Sequence, residues 1–456
     1  MNYRKRFKNQ ASEILDEKTP NLDFEGKVMF NEPSPVTPKP QHKWAIYVPV
    51  FTSVAALGVI LGVALWPKSY DATNPPSYYM NTPAERATSG DTSFNYRVSS
   101  LEVYNNFVAC FSPLVFSGNF DARSFSPVDA FVNVAILGYI STGTSQSEIL
   151  EAIGVDSVDE LNQVSKDVID VLGSSAGYSL NSFWYDDILY DLREGSDEFL
   201  EVLSNYYYAN VIARKPTSAL INEWLNMYVP KDRFPIIPEI EIDDGNTVAA
   251  IVSSYFAKNT WANENASKDY EAEYNGGDHK MTFHSETDKE VDFIEHGGLS
   301  LTNDDYRGVE ISLQSMRVNF FLPNVGKEPS DIFVSVLTSG HTKESQIGAK
   351  VPYFKIDNRL DLMKSFKDYG LNGVFNNSAA AGLLNSDTLV VTAIEQFSTM
   401  SFDFGGIYSA SVTITSVGES APIDNESLIV FDRPFVFTVT YHEATILVGQ
   451  VYNPTY

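Results

Sequence analysis

FGGIYSASVTITSVG, residues 404–418, carries no charge and is dense in Ile, Val, Thr and Tyr behind a Gly pair. Such composition favours a strand. Its exit does not: 418–425 (GESAPIDN) is turn and linker chemistry, and the apolar run 428–431 must start a new element. A strand-like segment held in an exposed connection is an aggregation hazard unless the fold keeps a place for it.

Working outward, strand-like runs flank this stretch at 248–257, 308–313, 316–323, 388–394, 434–441 and 445–451. Upstream the patterns are helical. Ser126-Pro127 reads as a cap and first helical position ahead of VDAFVNVAILGYISTG, apolar on nearly all sides and so a buried helix. Ser145-Gln146-Ser147-Glu148 reads as a capping box with a stop at Gly154, and 197–209 and 219–227 as amphipathic helices. Helices first and strands later predict an α+β domain over 96–456.

Ahead of that domain the chain changes character three times. Residues 1–43 are polar and Pro-interrupted and cannot bury enough surface to order themselves. Residues 44–66 (WAIYVPVFTSVAALGVILGVALW) have no charge, a Trp at each end, and the length of a single membrane-spanning helix, which tolerates Pro49 in its first turns. A cleavable leader is disfavoured, since the preceding segment is too long and no small-x-small site follows. Residues 67–95, rich in Pro, Ser, Thr and Asn, read as a spacer. Eight Lys/Arg precede the apolar run and only Lys68 closely follows it. That asymmetry predicts a cytoplasmic N-terminus, an extracellular domain and a cell-membrane location.

The net charge is −27, and because the tail is slightly basic the outer part is more acidic still. This opposes binding to nucleic acid or anionic lipid headgroups. Cys110, the single cysteine, excludes an internal disulfide framework and lies in an apolar segment that favours a buried structural thiol. His279, His284 and His296 with Asp278 and Glu295 match no zinc spacing. Hydrolase, metalloprotease and phosphate-loop motifs are absent, so neither an enzyme nor a cofactor is expected. Asn265, Asn376 and Asn425 begin glycosylation sequons.

The segment 429–439, IVFDRPFVFTV, matches the serpin signature at every constrained position. Other landmarks fall in the same family's order: FSP (125–127), NSFW (181–184), INEW (221–224), YF with a later Trp (255–261), VPYFKI (351–356) and GQVYNP (449–454). The chain over about 97–456 therefore resembles a serpin. The resemblance implies a helical first half, large mixed sheets and an exposed reactive-centre loop whose N-terminal part becomes an added strand after a protease cuts it. Serpin loop insertion is a known instance of strand addition and strain release.

By that resemblance 389–406 corresponds to the strand and hinge, with Gly406 as hinge glycine. Period-two alternation sends Ile407, Ser409, Ser411, Thr413 and Thr415 to one face, and Tyr408, Ala410, Val412 and Ile414 to the other. No charge or Pro opposes entry into a sheet. Departures are the Phe404-Gly405 pair where the family is acidic, and bulkier Val412 and Thr413 after a short Ser-Ala-Ser. Around the opening point Ser126 and Gln396 suit the family and Trp261 fits its tryptophan, whereas Asp129 and Ser253 replace its Ser and Asn.

Family spacing puts the scissile bond at Ser420-Ala421, while counting back from Pro434 allows Ile423. No Lys or Arg occurs between Asp403 and Asp424, which disfavours trypsin-like proteases and favours elastase- or subtilisin-like serine proteases, or a cysteine protease, as partner. Two functions follow from the resemblance: a membrane-tethered, monomeric suicide inhibitor of extracellular proteases, or a non-inhibitory binding or adhesion module.

Overall fold

The computed structural model describes residues 78–84, 97–116, 123–173, 177–232, 234, 236–259, 280–286, 288–338, 342–376, 379–403, 406–408 and 428–454. The tail 1–43, the apolar run 44–66, Trp261, His279, Asn265, Asn425, Ser409, Ser411, Thr413, Ser420, Ala421 and Ile423 lie outside them. Among the described helices none is long and apolar enough to cross a membrane.

The helices are α1 (Val98–Phe116), α2 (Pro127–Ile140), α3 (Gly143–Ile153), α4 (Val158–Leu172), α5 (Asp197–Tyr207), α6 (Ser218–Tyr228), α7 (Pro329–Thr338) and α8 (Met363–Tyr369). Helix α2 starts where its sequence predicts, with Ser126 extended at the N-cap position and Pro127 following, but the Ser126 side chain makes no capping hydrogen bond; along the helix Asp129 and Asn133 are half-buried and the rest buried. Gly154 ends α3 in the left-handed region (φ 89°), where a side chain would be strained. Cys110, on α1, is half-buried rather than the fully buried thiol its apolar segment favours.

Two sheets carry the strands. The larger runs β1 (Arg123–Phe125), β15 (Ala444–Val451), β14 (Phe435–Tyr441), β8 (Arg317–Pro323), β7 (Tyr306–Ser312), β6 (Lys289–Thr302), β9 (Thr342–Pro352), β13 (Leu428–Val430), with β5 (Lys280–Phe283) also on β6. The second, here called the central sheet, has the order β10 (Phe354–Asp361), β11 (Glu395–Asp403), β12 (Gly406–Tyr408), β4 (Ala249–Asn259), β2 (Gly177–Tyr185), β3 (Ala209–Ala213).

The sheets share a core of aromatic rings. Phe402 of β11 stacks on Phe354 of β10 (centroids 5.4 Å, 11°) and meets Phe320 of β8 edge-on at 4.9 Å. Phe431 and Phe435 close on Phe320 at 5.7 and 5.9 Å. The segment 429–439 thus supplies rings packed beneath the upper end of β11, the kind of contact that adds ~1 kcal/mol per pair to area burial. A second cluster lies under α6, where Trp224 meets Trp184 of β2 edge-on at 6.3 Å beside buried Ile212, Ile221, Leu225 and Phe234.

Several expectations are corrected. The strand expected at 388–394 is extended chain without ladder partners, and the strand is Glu395–Asp403; β-branched composition alone could not say which part of the run finds a neighbour. Helix α3 begins at Gly143 behind Thr142, and Glu148 does not cap its own helix; its Oε2 accepts instead from the amides of Asn372 and Gly373 at 2.8 and 2.6 Å. The capping box sits at α4, where Ser157 Oγ accepts from Glu160 N at 3.2 Å and Glu160 Oε2 from Asp156 N at 2.8 Å. The helical half also contains β2 and β3. Residues 78–84, part of the stretch read as spacer, lie against the outer edge of β3 through an antiparallel bridge, Tyr79 to Ile212. Composition cannot reveal main-chain pairing with a strand over a hundred residues away.

Candidate functional site at the head of the central sheet

At Asp403 the chain turns back on itself: Asp403 pairs with Gly406, Phe402 with Ile407 and Ser401 with Tyr408, leaving two residues to make the reversal. Gly406 has φ +123°, a conformation that L side chains rarely adopt, so the glycine at this point is required by the backbone. Ile407 is buried beside Phe402 and belongs to the main core. On its other side β12 pairs with β4, Ile407 to Asn259 and Tyr408 to Lys258. Residues 406–408 therefore lie as a strand between β11 and β4, antiparallel to both.

Beyond Tyr408, among the described residues, β4 and β11 have no ladder neighbour on their facing sides. Residues 249–254 of β4 are all half-exposed. Because successive side chains alternate between faces, exposure at six consecutive positions reflects an open edge rather than an open face.

The floor of this opening is polar. Gln396 of β11 donates from Nε2 to the Ser126 carbonyl and accepts at Oε1 from the Ser126 amide, both at 2.8 Å. One strand turn away, Asn358 of β10 accepts at Oδ1 from Ser124 N (2.8 Å) and donates from Nδ2 to Ser124 O (3.2 Å) and Ser398 Oγ (3.0 Å). Ser124 and Ser398 hydroxyls lie 3.0 Å apart. Ser124, Asn358 and Ser398 were not singled out in the sequence; they are ordinary polar residues whose role exists only once β1, β10 and β11 meet.

Ser253 of β4 pairs with Asn181 of β2, and the buried Ser253 Oγ and Asn181 Oδ1 atoms find no hydrogen-bond partner among the described residues. Asn181 Nδ2 donates to Tyr207 O at 2.8 Å. Asp129, in the first turn of α2, has its carboxyl pushed well above the usual carboxylate range by burial, an effect the Ser126 side chain partly offsets. Ser126 thus meets both Gln396 and Asp129, while Ser253 lies on β4 opposite Asn181.

Of the histidines, His296 on β6 is buried and its imidazole is pushed down to about 3 by desolvation, whereas His284 is exposed with Nδ1 3.4 Å from Asp288. Among the described residues no group of three metal-ligating side chains is assembled.

This architecture is an α+β scaffold of two large sheets in which the short strand β12 lies between β4 and β11. Residues 119–454 match the family model described as serpin (serine protease inhibitor), and the chain belongs to the serpin family. It is 25% identical to plasma serine protease inhibitor of Homo sapiens over 356 residues, 72% of this chain and 84% of that protein. Its fold superposes on a serpin of the insect Tenebrio molitor with a TM-score of 0.61 at 17% identity, covering 78% of this chain and 99% of the other. Human thyroxine-binding globulin, complexed with thyroxine, gives 0.61 at 16% identity, covering 78% of this chain and 99% of the other.

Proposed function

We propose that this protein is a membrane-tethered suicide substrate for extracellular proteases of the serine class, with cysteine proteases as the alternative target chemistry. The observation that carries the reading is β12, which lies between β4 and β11 at the head of a seam that no other described strand fills.

The printed registers can be continued. Extended without a bulge, Ser409 falls between Ala257 and Met400, Ser411 between Tyr255 and Ser398, and Thr413 between Ser253 and Gln396. Side chains directly opposite one another share a face. Met400 and Gln396 are buried and Ile407 with them, so the small residues Ser409, Ser411 and Thr413 are the ones that would enter the interior. Thr413 would arrive above Ser126 and Asp129.

The chemistry belongs to the target. Its nucleophile attacks the carbonyl carbon of Ser420, or of a residue as late as Ile423, the peptide nitrogen leaves with the proton that the protease's acid supplies, and an ester or thioester joins the two proteins. Strand entry then carries the bound protease away before water completes hydrolysis. The absence of Lys and Arg between Asp403 and Asp424 favours elastase- or subtilisin-like partners.

Residues 44–66 would hold the domain at the bilayer with the N-terminus inside. With 78–84 committed to β3, the free spacer is 67–77, a reach of at most ~40 Å.

A second reading, a non-inhibitory binding or adhesion module, is supported by bulky Val412 in the inserting run and by the fold shared with thyroxine-binding globulin. Incubation of the full chain in detergent with elastase- and subtilisin-like proteases separates the two. A covalent complex that survives denaturing electrophoresis supports inhibition; cleavage near Ser420 with free protease supports the second reading.

A further inference from the structure

Strand β3 is the last strand of the central sheet, paired in parallel with β2 on one side only. Its sequence, Ala-Asn-Val-Ile-Ala, is apolar, and Ala209, Val211 and Ile212 are fully buried. An apolar edge of this kind is a template for pairing with another chain. Residues 78–84 occupy it. Met80 N donates to Val211 O and Ala213 N to Tyr78 O, both at 2.8 Å. Asn81 then imitates a further backbone unit with its side-chain amide: Oδ1 accepts from Val211 N at 2.7 Å and Nδ2 donates to Ala209 O at 2.9 Å. Four outward main-chain groups of β3 are thereby satisfied by three residues of the segment.

The segment is fixed at both ends by other elements. Asn81 Nδ2 also reaches Leu200 O of α5 at 3.3 Å, Ala84 N donates to Ser204 O at 3.2 Å, and Ser204 Oγ to Thr82 O at 2.7 Å. At the other end Tyr79 lies 6.4 Å from Tyr228 of α6 and the Arg214 guanidinium sits 5.2 Å from the Tyr78 ring. Met80, by contrast, is exposed and contributes through its backbone.

We propose that residues 78–84 are an edge guard, an intramolecular strap whose displacement opens β3 to strand addition by a second copy of this chain. The occupant argued for is a second copy because an opened β3 presents the same apolar edge on every molecule, and two such edges complement each other through main-chain pairing that no sequence match is needed to achieve.

The test uses the full chain in detergent with two substitutions, Met80→Pro, which deletes the donor to Val211, and Asn81→Ala, which deletes the side-chain bridge. Hydrogen exchange at the Val211 and Ala213 amides reads the strap directly, and light scattering after gel filtration reads association. In the parent both amides should be protected and the protein monomeric. In each variant exchange at one or both amides should accelerate at least tenfold, and monomer should be lost at least tenfold faster at a fixed concentration. Excess peptide of the sequence 78–84, Tyr-Tyr-Met-Asn-Thr-Pro-Ala, should restore the monomer. Unchanged amide exchange, variants that stay monomeric, or oligomers indifferent to the peptide would each overturn the proposal. Near-ultraviolet circular dichroism confirms that the variants are folded, and should one substitution unfold the chain the other carries the test.

Discussion

The side-chain amide of Gln396 grips the backbone of Ser126 from both ends, donating to its carbonyl oxygen and accepting from its amide at 2.8 Å. The pair joins β11 to the residue at the N-cap position of α2. Gln396→Ala should leave two buried main-chain groups without partners, at a cost of about 2–4 kcal/mol. Thermal melting followed by circular dichroism should fall by about 4 °C or more; a shift under 1 °C would show the clamp to be dispensable.

Thr413→Arg tests the continued register. A guanidinium brought between Ser253 and Gln396 would meet a buried floor, and burying an unpaired charge costs several kcal/mol. The variant should be cut by the target protease without forming a stable complex, so the ratio of inhibitor consumed to protease inactivated rises at least tenfold. An unchanged ratio would mean that this residue does not enter the sheet.

Asp129 gives the native fold a pH dependence of definite sign. Burial raises its folded pKa, whereas the unfolded chain releases the proton near ~3.9. The native state therefore holds this proton more tightly, an advantage complete below the unfolded value and lost as pH rises through the folded one. Asp129→Asn should raise the melting temperature at pH 7.5 and leave it unchanged at pH 3.5. A variant less stable at neutral pH would show that the charged carboxylate has a stabilising partner.

His296 acts in the opposite direction. Its imidazole titrates at about 3 in the fold and near ~6.5 in the unfolded chain, so stability is lost as pH falls below the unfolded value. At pH 5 the loss is on the order of 2 kcal/mol. His296→Asn should lessen the drop in melting temperature between pH 7.5 and 5 relative to the parent, and parallel curves would remove His296 from the acid response.

Much of this architecture was legible in the chain itself, because patterns and turn chemistry are local. The Pro127 start of α2, the Gly154 stop and the phenylalanines of 429–439 act where they stand in sequence. Gly406 was singled out by family resemblance, and its φ supplies a physical reason for a glycine at that position. Partnership over long separations was not legible. Ser145-Gln146-Ser147-Glu148 and Ser157-Val158-Asp159-Glu160 fit the same capping pattern, yet Glu148 is drawn away by the amides of 372 and 373 while Glu160 remains on its own helix. Asn358 and Ser398 acquire meaning only when β10 and β11 are laid beside β1. Asn81 sat in a Pro-rich stretch whose composition gives no sign that an amide side chain there stands in for a peptide group.

If residues 44–66 tether the domain and 78–84 seal β3 as proposed, cleavage on the two sides of 78–84 would have unequal outcomes. A cut within 67–77 would release a domain that carries its own seal. A cut within 85–96 would leave the seal held only by its contacts with β3, α5 and α6, so the freed domain could lose it and become sticky along one side. The few residues around Asn81 thereby separate a clean release from an adhesive one.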